Sequence, residues 1–115
     1  MKHLPTFCQW IIRRFALSHH KDIRVTFCKL GKKEIGKCNV YSTKHGYVYY
    51  QIELHLKRLY HLKPKLIEDL LLHECLHTIV LNHGSVFKQL CKAYKVDKRF
   101  RDGRNKTKKS IYARR

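Results

Sequence analysis

The chain has 115 residues, room for one domain with a single modest core but not for a core plus a separate recognition module. Hydrophobic residues make up 43% of it, which fits a folded domain, yet no apolar run is long enough to span a bilayer, so a membrane-spanning protein is excluded. A formal charge of +18 points to polyanionic partners.

In chain order, Leu4, Phe7, Cys8, Ile11, Phe15 and Leu17 recur at three- and four-residue spacing and predict an opening helix that packs as a cover. The start, MKHLPTFCQWIIRRF, lacks a long apolar segment followed by a small-residue cleavage site, so the expected location is intracellular, in the cytoplasm or at the nucleoid or nucleus. Ile23, Val25 and Phe27 alternate with Arg24, Thr26 and Cys28 as a first strand, and Gly31 and Gly36 bracket a polar turn. A second strand is expected near Lys37 to Tyr41. After a turn from Ser42 to Gly46, Val48, Tyr50, Ile52 and Leu54 alternate with Tyr47, Tyr49, Gln51 and Glu53, giving a third strand with one apolar face and one aromatic and polar face. Its tyrosines invite a base-stacking role but are read as ordinary strand packing. Pro64 suits the first turn of a helix that is expected to run to about Leu81, and Val86, Phe87, Leu90, Cys91 and Tyr94 predict a last helix. Five cysteines (8, 28, 38, 75, 91), an odd number without a CxxC pair, suggest neither a disulfide framework nor a zinc ribbon.

The stretch HECLHTIVLNH places His73, Glu74, His77 and His83 at the spacing HExxHxxxxxH. On a helix His73 and His77 project within about 40° of each other, so both imidazoles reach one cation. Glu74 lies beside them, placed to hold and deprotonate a metal-bound water. A continuing helix would point His83 roughly 100° away, so the chain must turn before it. Asn82 and Gly84 tolerate the left-handed conformation that commonly ends a helix, and the turn is expected there. Three histidine ligands leave one position open, the catalytic arrangement of zinc, and one Zn2+ per chain is expected. With nine histidines and four glutamates, HExxH arises by accident in roughly 2% of such compositions, and with the third histidine in roughly 0.2%, so coincidence is a poor explanation. Leu72, Cys75, Leu76 and Ile79 fall on the opposite side as a core-facing stripe, which reads Cys75 as a core residue.

From Lys98 the sequence carries one acid, Asp102, against nine bases: Lys98, Arg99, Arg101, Arg104, Lys106, Lys108, Lys109, Arg114 and Arg115. Residues 98–115 are read as a flexible nucleic-acid-binding tail, DNA ahead of RNA, following a catalytic domain over residues 1–97. Arg13, Arg14, Lys32, Lys33, Lys57, Arg58, Lys63 and Lys65 extend the basic character into that domain.

The segments YVYYQIELHLKRL and LIEDLLLHECLHTIVLNHGSVF, in an order of helix, three strands, motif helix and HGxxF, resemble the SprT-like zinc metalloproteases and the related WLM and YgjP-like families. The resemblance covers about Ile23 to Tyr94. It implies an α+β, zincin-like (minigluzincin-type) domain with an N-terminal helix, a small antiparallel three-stranded sheet, the HExxH helix and a following helix. It also implies His73, His77 and His83 as zinc ligands and Glu74 as catalytic base. The substrate would be protein, in the SprT and WLM groups protein bound or crosslinked to DNA, and the basic tail would stand in for a lost DNA-binding module. A monomer is expected. Val80 stands where metzincins have glycine, which argues against that family, and the zinc ribbon that follows many SprT-like domains is absent.

Two other readings stay open. One is a metal-dependent endoribonuclease resembling YbeY, whose HxxxHxxxxxH motif has the same histidines but glycine in place of Glu74. The other is a nucleic-acid-binding protein whose metal is structural.

Overall fold

The computed structural model describes residues 3–100 and the backbone of residues 107–109. Four helices and a small mixed sheet make an α+β fold. Helix α1 (Leu4–Ser18) opens on Pro5, whose ring suits the first turn. It buries Leu4, Cys8, Ile11, Ile12 and Phe15, the expected stripe joined by Ile12, while Leu17 is 72% exposed. Each such aliphatic side chain, taken fully from water, contributes about 1.5–3 kcal/mol.

Strands β1 (Ile23–Phe27), β2 (Gly36–Ser42) and β3 (Val48–Leu54) follow, with β3 central. The β2–β3 hairpin is antiparallel and closes on Gly46, whose φ of +83° suits glycine. β1, however, pairs parallel with β3, Val25 opposite Ile52 and Phe27 opposite Leu54, so the sheet is mixed where an antiparallel one was expected. Alternation reports which face of a strand is buried and says nothing of its direction. The direction is set by residues 28–35, which pass the end of β3: Cys28 N–H bonds the Leu54 carbonyl on one side, and Gly36 pairs with Leu54 on the other. Arg58 braces that crossing, its Nη1 donating to the carbonyls of Gly31 and Glu34 at 2.6 Å each.

A short helix the sequence did not announce, α2 (Leu56–Leu59), carries Arg58 and the buried Leu59. Helix α3 (Pro64–Leu76) starts at Pro64 as expected but ends five residues before Leu81. Helix α4 (Ser85–Ala93) buries Phe87 and Cys91 and leaves Val86, read as part of its stripe, 60% exposed. A single 3-10 turn, Lys98–Phe100, follows, and Phe100 is 1% exposed, so the packed body reaches three residues past Asp97. Buried Asp69 of α3 fixes that segment: its carboxylate accepts from Lys65 Nζ at 2.7 Å and from the backbone N–H of Asp97 at 3.1 Å. The backbone of Thr107–Lys109, β4, pairs parallel with β2 over Gly36–Cys38 as a fourth, edge strand.

The core lies between the helices and one face of the sheet, where Ile52, Leu54 and Cys38 meet Leu70, Leu71 and Cys75. Among the described residues no helix is long and apolar enough to cross a membrane.

Candidate metal centre

His73 lies in the last turn of α3 and His77 is its C-cap residue. Thr78, Ile79 and Val80 stop the helix there, because three consecutive β-branched residues crowd a helical turn. The Thr78 hydroxyl competes for a helical carbonyl, bonding Cys75 O at 2.7 Å. The last turn tightens to three-residue bonds, His77 N to Glu74 O, Thr78 N to Cys75 O and Ile79 N to Leu76 O. The chain therefore turns at Thr78–Val80, earlier than the expected turn at Asn82, and Gly84 has φ −78° rather than a left-handed value. Asn82 contributes differently: its Oδ1 accepts from Gly84 N–H at 2.9 Å, a local turn that presents His83. Ile79, assigned to the core stripe, is 43% exposed because the helix ends before it.

The result brings three Nε2 atoms together: His73 to His77 3.2 Å, His77 to His83 3.0 Å and His73 to His83 3.4 Å. Two nitrogen ligands about 2.05 Å from a tetrahedral ion stand about 3.3 Å apart, so the three histidines lie close enough to hold one metal ion. The tautomer of His77 agrees. Its Nδ1 lies 3.1 Å from the Val80 carbonyl, which can only accept, so Nδ1 carries the proton and Nε2 keeps its lone pair for the cluster. His73 and His77 are fully buried and His83 is half-buried, which puts the solvent side of the cluster at His83.

Phe87 builds the wall of the site. Its ring stacks on His77 at 4.3 Å between centroids and meets His73 and His83 edge-on at 5.1 and 5.2 Å. Phe100 lies edge-on to His73 at 6.5 Å. Such an apolar shell limits ring rotation and lowers the local dielectric.

Glu74 is fully buried, and neither carboxylate oxygen has a hydrogen-bond partner among the described residues. Burial, and then the charge of Glu34, holds its carboxyl well above the usual carboxylate range. It packs against the backbone of Gly36 in β2, where a Cβ would stand 3.1 Å from Oε2. Cys75 is buried in the core, its thiol pushed up by burial, and the metal-competent group among the described residues contains no cysteine.

Glu34 was not singled out in the sequence, and Gly36 was read only as one end of a polar turn, with nothing to tie either to Glu74. Of the nine basic residues assigned to the tail, Lys98 is described and exposed. Arg101, Arg104, Lys106, Arg114 and Arg115, and the side chains of Arg99, Lys108 and Lys109, lie outside the described residues. Comparison with family models, with curated proteins and with solved structures gave no match.

Proposed function

We propose that the chain is a zinc-dependent metallopeptidase with a zincin-like, minigluzincin-type fold, related to the SprT-like, WLM and YgjP-like group. The observation that carries this reading is the convergence of three imidazole Nε2 atoms, with Glu74 next to His73 in the chain and its buried carboxylate satisfied by no described residue. Zinc suits the donor set, since three neutral imidazoles leave a fourth position open, whereas structural zinc is closed by four ligands. Zinc bound there supplies the Lewis acidity that polarises a scissile carbonyl and acidifies water.

The chain's own residues do the rest. A cation held by the histidines would favour the ionised form of Glu74 over the neutral form that burial favours, and in that form Glu74 takes a proton from the attacking water and returns it to the leaving amine. Gly36 leaves room for that carboxylate, and Phe87 keeps the His77 ring from turning. A substrate adds to the sheet as an extended strand, so at Gly36–Cys38 it takes the place that β4 holds. Proteins bound or crosslinked to DNA inside the cell are the proposed substrates, and the support for them is the net charge of +18 together with the basic run from Lys98.

A second reading, an endoribonuclease resembling YbeY, is favoured by the same three histidines in a strongly basic chain. Glu74 weighs against it.

The test incubates zinc-loaded wild type and Glu74→Gln with a generic protein substrate and with a structured RNA, each with and without DNA. Wild type is expected to cleave the protein and leave the RNA intact. Glu74→Gln is expected to keep its zinc and lose about a hundredfold or more in rate. RNA cleavage without proteolysis establishes the second reading, and zinc binding with neither activity means the metal only supports the fold.

A further inference from the structure

The strand register divides the sheet into two faces. Ile23, Val25, Phe27, Cys38, Tyr50, Ile52 and Leu54 face the core, where the helices pack. Arg24, Thr26, Tyr41, Tyr49 and Gln51 lie on the other face, turned away from those helices, together with Glu53 and the buried Asn39.

On that face three tyrosines form a file. Tyr41 and Tyr49, cross-strand partners, stack at 5.2 Å with 25° between their planes, and Tyr47 continues the file 6.5 Å from Tyr49. The Arg24 guanidinium sits 3.8 Å from the centre of the Tyr49 ring. Asp22 sets the orientation, accepting from the Tyr47 hydroxyl and from Arg24 Nη2 at 3.2 Å. Cross-strand stacking alone explains the Tyr41–Tyr49 pair. It does not explain Tyr47, which precedes β3, is 53% exposed, and is held in place by a hydrogen bond from its outer end.

The cations adjoin the aromatics. Between α1 and β1 lies an open cavity of about 360 Å³ whose lining includes Arg13, Lys21 and Arg24, so Arg24 belongs to the cavity and to the tyrosine file alike. The Lys21 ammonium stands 5.7 Å from the centre of the Tyr50 ring, which faces the core and is not part of the file. Lys44 lies in the hairpin turn three residues before Tyr47. Two acids lie near these groups: Asp22, whose charge is engaged by Arg24, and Glu53, at the far end of the same face opposite Thr26 and Lys37.

We infer that this face of the sheet, with the cationic cavity beside β1, is a binding site for single-stranded nucleic acid. Bases stack on the tyrosine file, starting at the exposed Tyr47, while phosphates run along Arg13, Lys21 and Arg24. Stacking needs bare base faces, which a duplex hides inside its own stack. Every base has a π-face, so the site is tolerant of sequence. It stands on the opposite side of the sheet from the histidine cluster, so it neither rests on the peptidase reading nor falls with it.

The test measures binding of labelled oligothymidylate, and of a duplex of the same length, to full-length protein at several salt concentrations. Tyr47→Ala is expected to weaken oligothymidylate about fivefold or more and to leave the duplex unchanged; Tyr47→Phe retains wild-type affinity for both. Arg13→Gln with Lys21→Gln flattens the salt dependence for the single strand. Unchanged oligothymidylate binding by Tyr47→Ala overturns the site. So does an equal loss on the duplex, which would mean a charge effect, or an equal loss in Tyr47→Phe, which would mean that the Asp22 bond mattered and not the ring. A measurement on wild type stands apart from any folding defect: photocrosslinks from a bromodeoxyuridine-substituted strand fall within residues 41–50, and crosslinks confined to residues beyond Phe100 refute the proposal.

Discussion

Glycine at position 36 decides how close β2 comes to Glu74. A methyl there would lie 3.1 Å from Oε2 and 3.3 Å from Cγ, both tighter than ordinary contact, and 3.4 Å from Cδ. Gly36→Ala is therefore expected to displace the carboxylate by a few tenths of an ångström while leaving the histidines alone. The expected outcome is zinc binding like wild type with peptide hydrolysis reduced about tenfold or more in kcat, read by metal titration beside steady-state kinetics. Loss of zinc together with activity would place the effect in the fold instead. At this scale the sequence carried the three histidines that converge, because the spacing of His73, His77 and His83 is a local property. It did not carry Gly36 or Glu34, 38 and 40 residues before Glu74, whose closeness to it exists only once β2 and the loop before it are laid beside α3.

The element most altered by tertiary context is the C-terminal end of the packed body. Phe100 is buried against His73, and removing a buried phenylalanine side chain costs about 3–5 kcal/mol. Truncation after Asp97 is thus expected to lower the melting temperature by ten degrees or more, roughly, whereas truncation after Phe100 keeps that contact and melts near wild type. Thermal melts of the three lengths decide it. The longer truncated form also frees the β2 edge at Gly36–Cys38, so its cleavage of an unstructured peptide rises, while its DNA binding weakens and loses part of its salt dependence. Residue patterning located every major helix and strand but not their ends or directions. α3 stopped at the β-branched run Thr78–Val80 and not at Asn82, and β1 turned out parallel because an eight-residue loop, without periodicity to read, carries the chain past β3.

At the scale of the whole molecule the metal cluster ties α3 to the segment between α3 and α4. A ligand that binds the folded state alone adds stability: about 2.7 kcal/mol at a hundredfold excess over Kd. For a chain of 115 residues that corresponds to a rise of roughly ten degrees in melting temperature on zinc loading, reversed by a chelator. His83→Ala is expected to melt at the chelated temperature and to respond weakly to added zinc, in calorimetry paired with metal analysis. Equal zinc responses in wild type and His83→Ala would remove His83 from the ligand set.

Asp69 sits on the same helix as His73, one turn earlier, and grips the backbone of Asp97 just where the chain leaves for its basic end. The anchorage of the tail and the seat of the metal thus share one rigid rod. A load on residues past Phe100, such as a bound polyanion, bears on α3 through Asp97 as well as on the sheet through β4, and whatever it does to the seating of His73 a metal held there must do in return to the tail, since coupling free energies are reciprocal. Zinc affinity measured with and without bound nucleic acid is then a gauge of tension along α3.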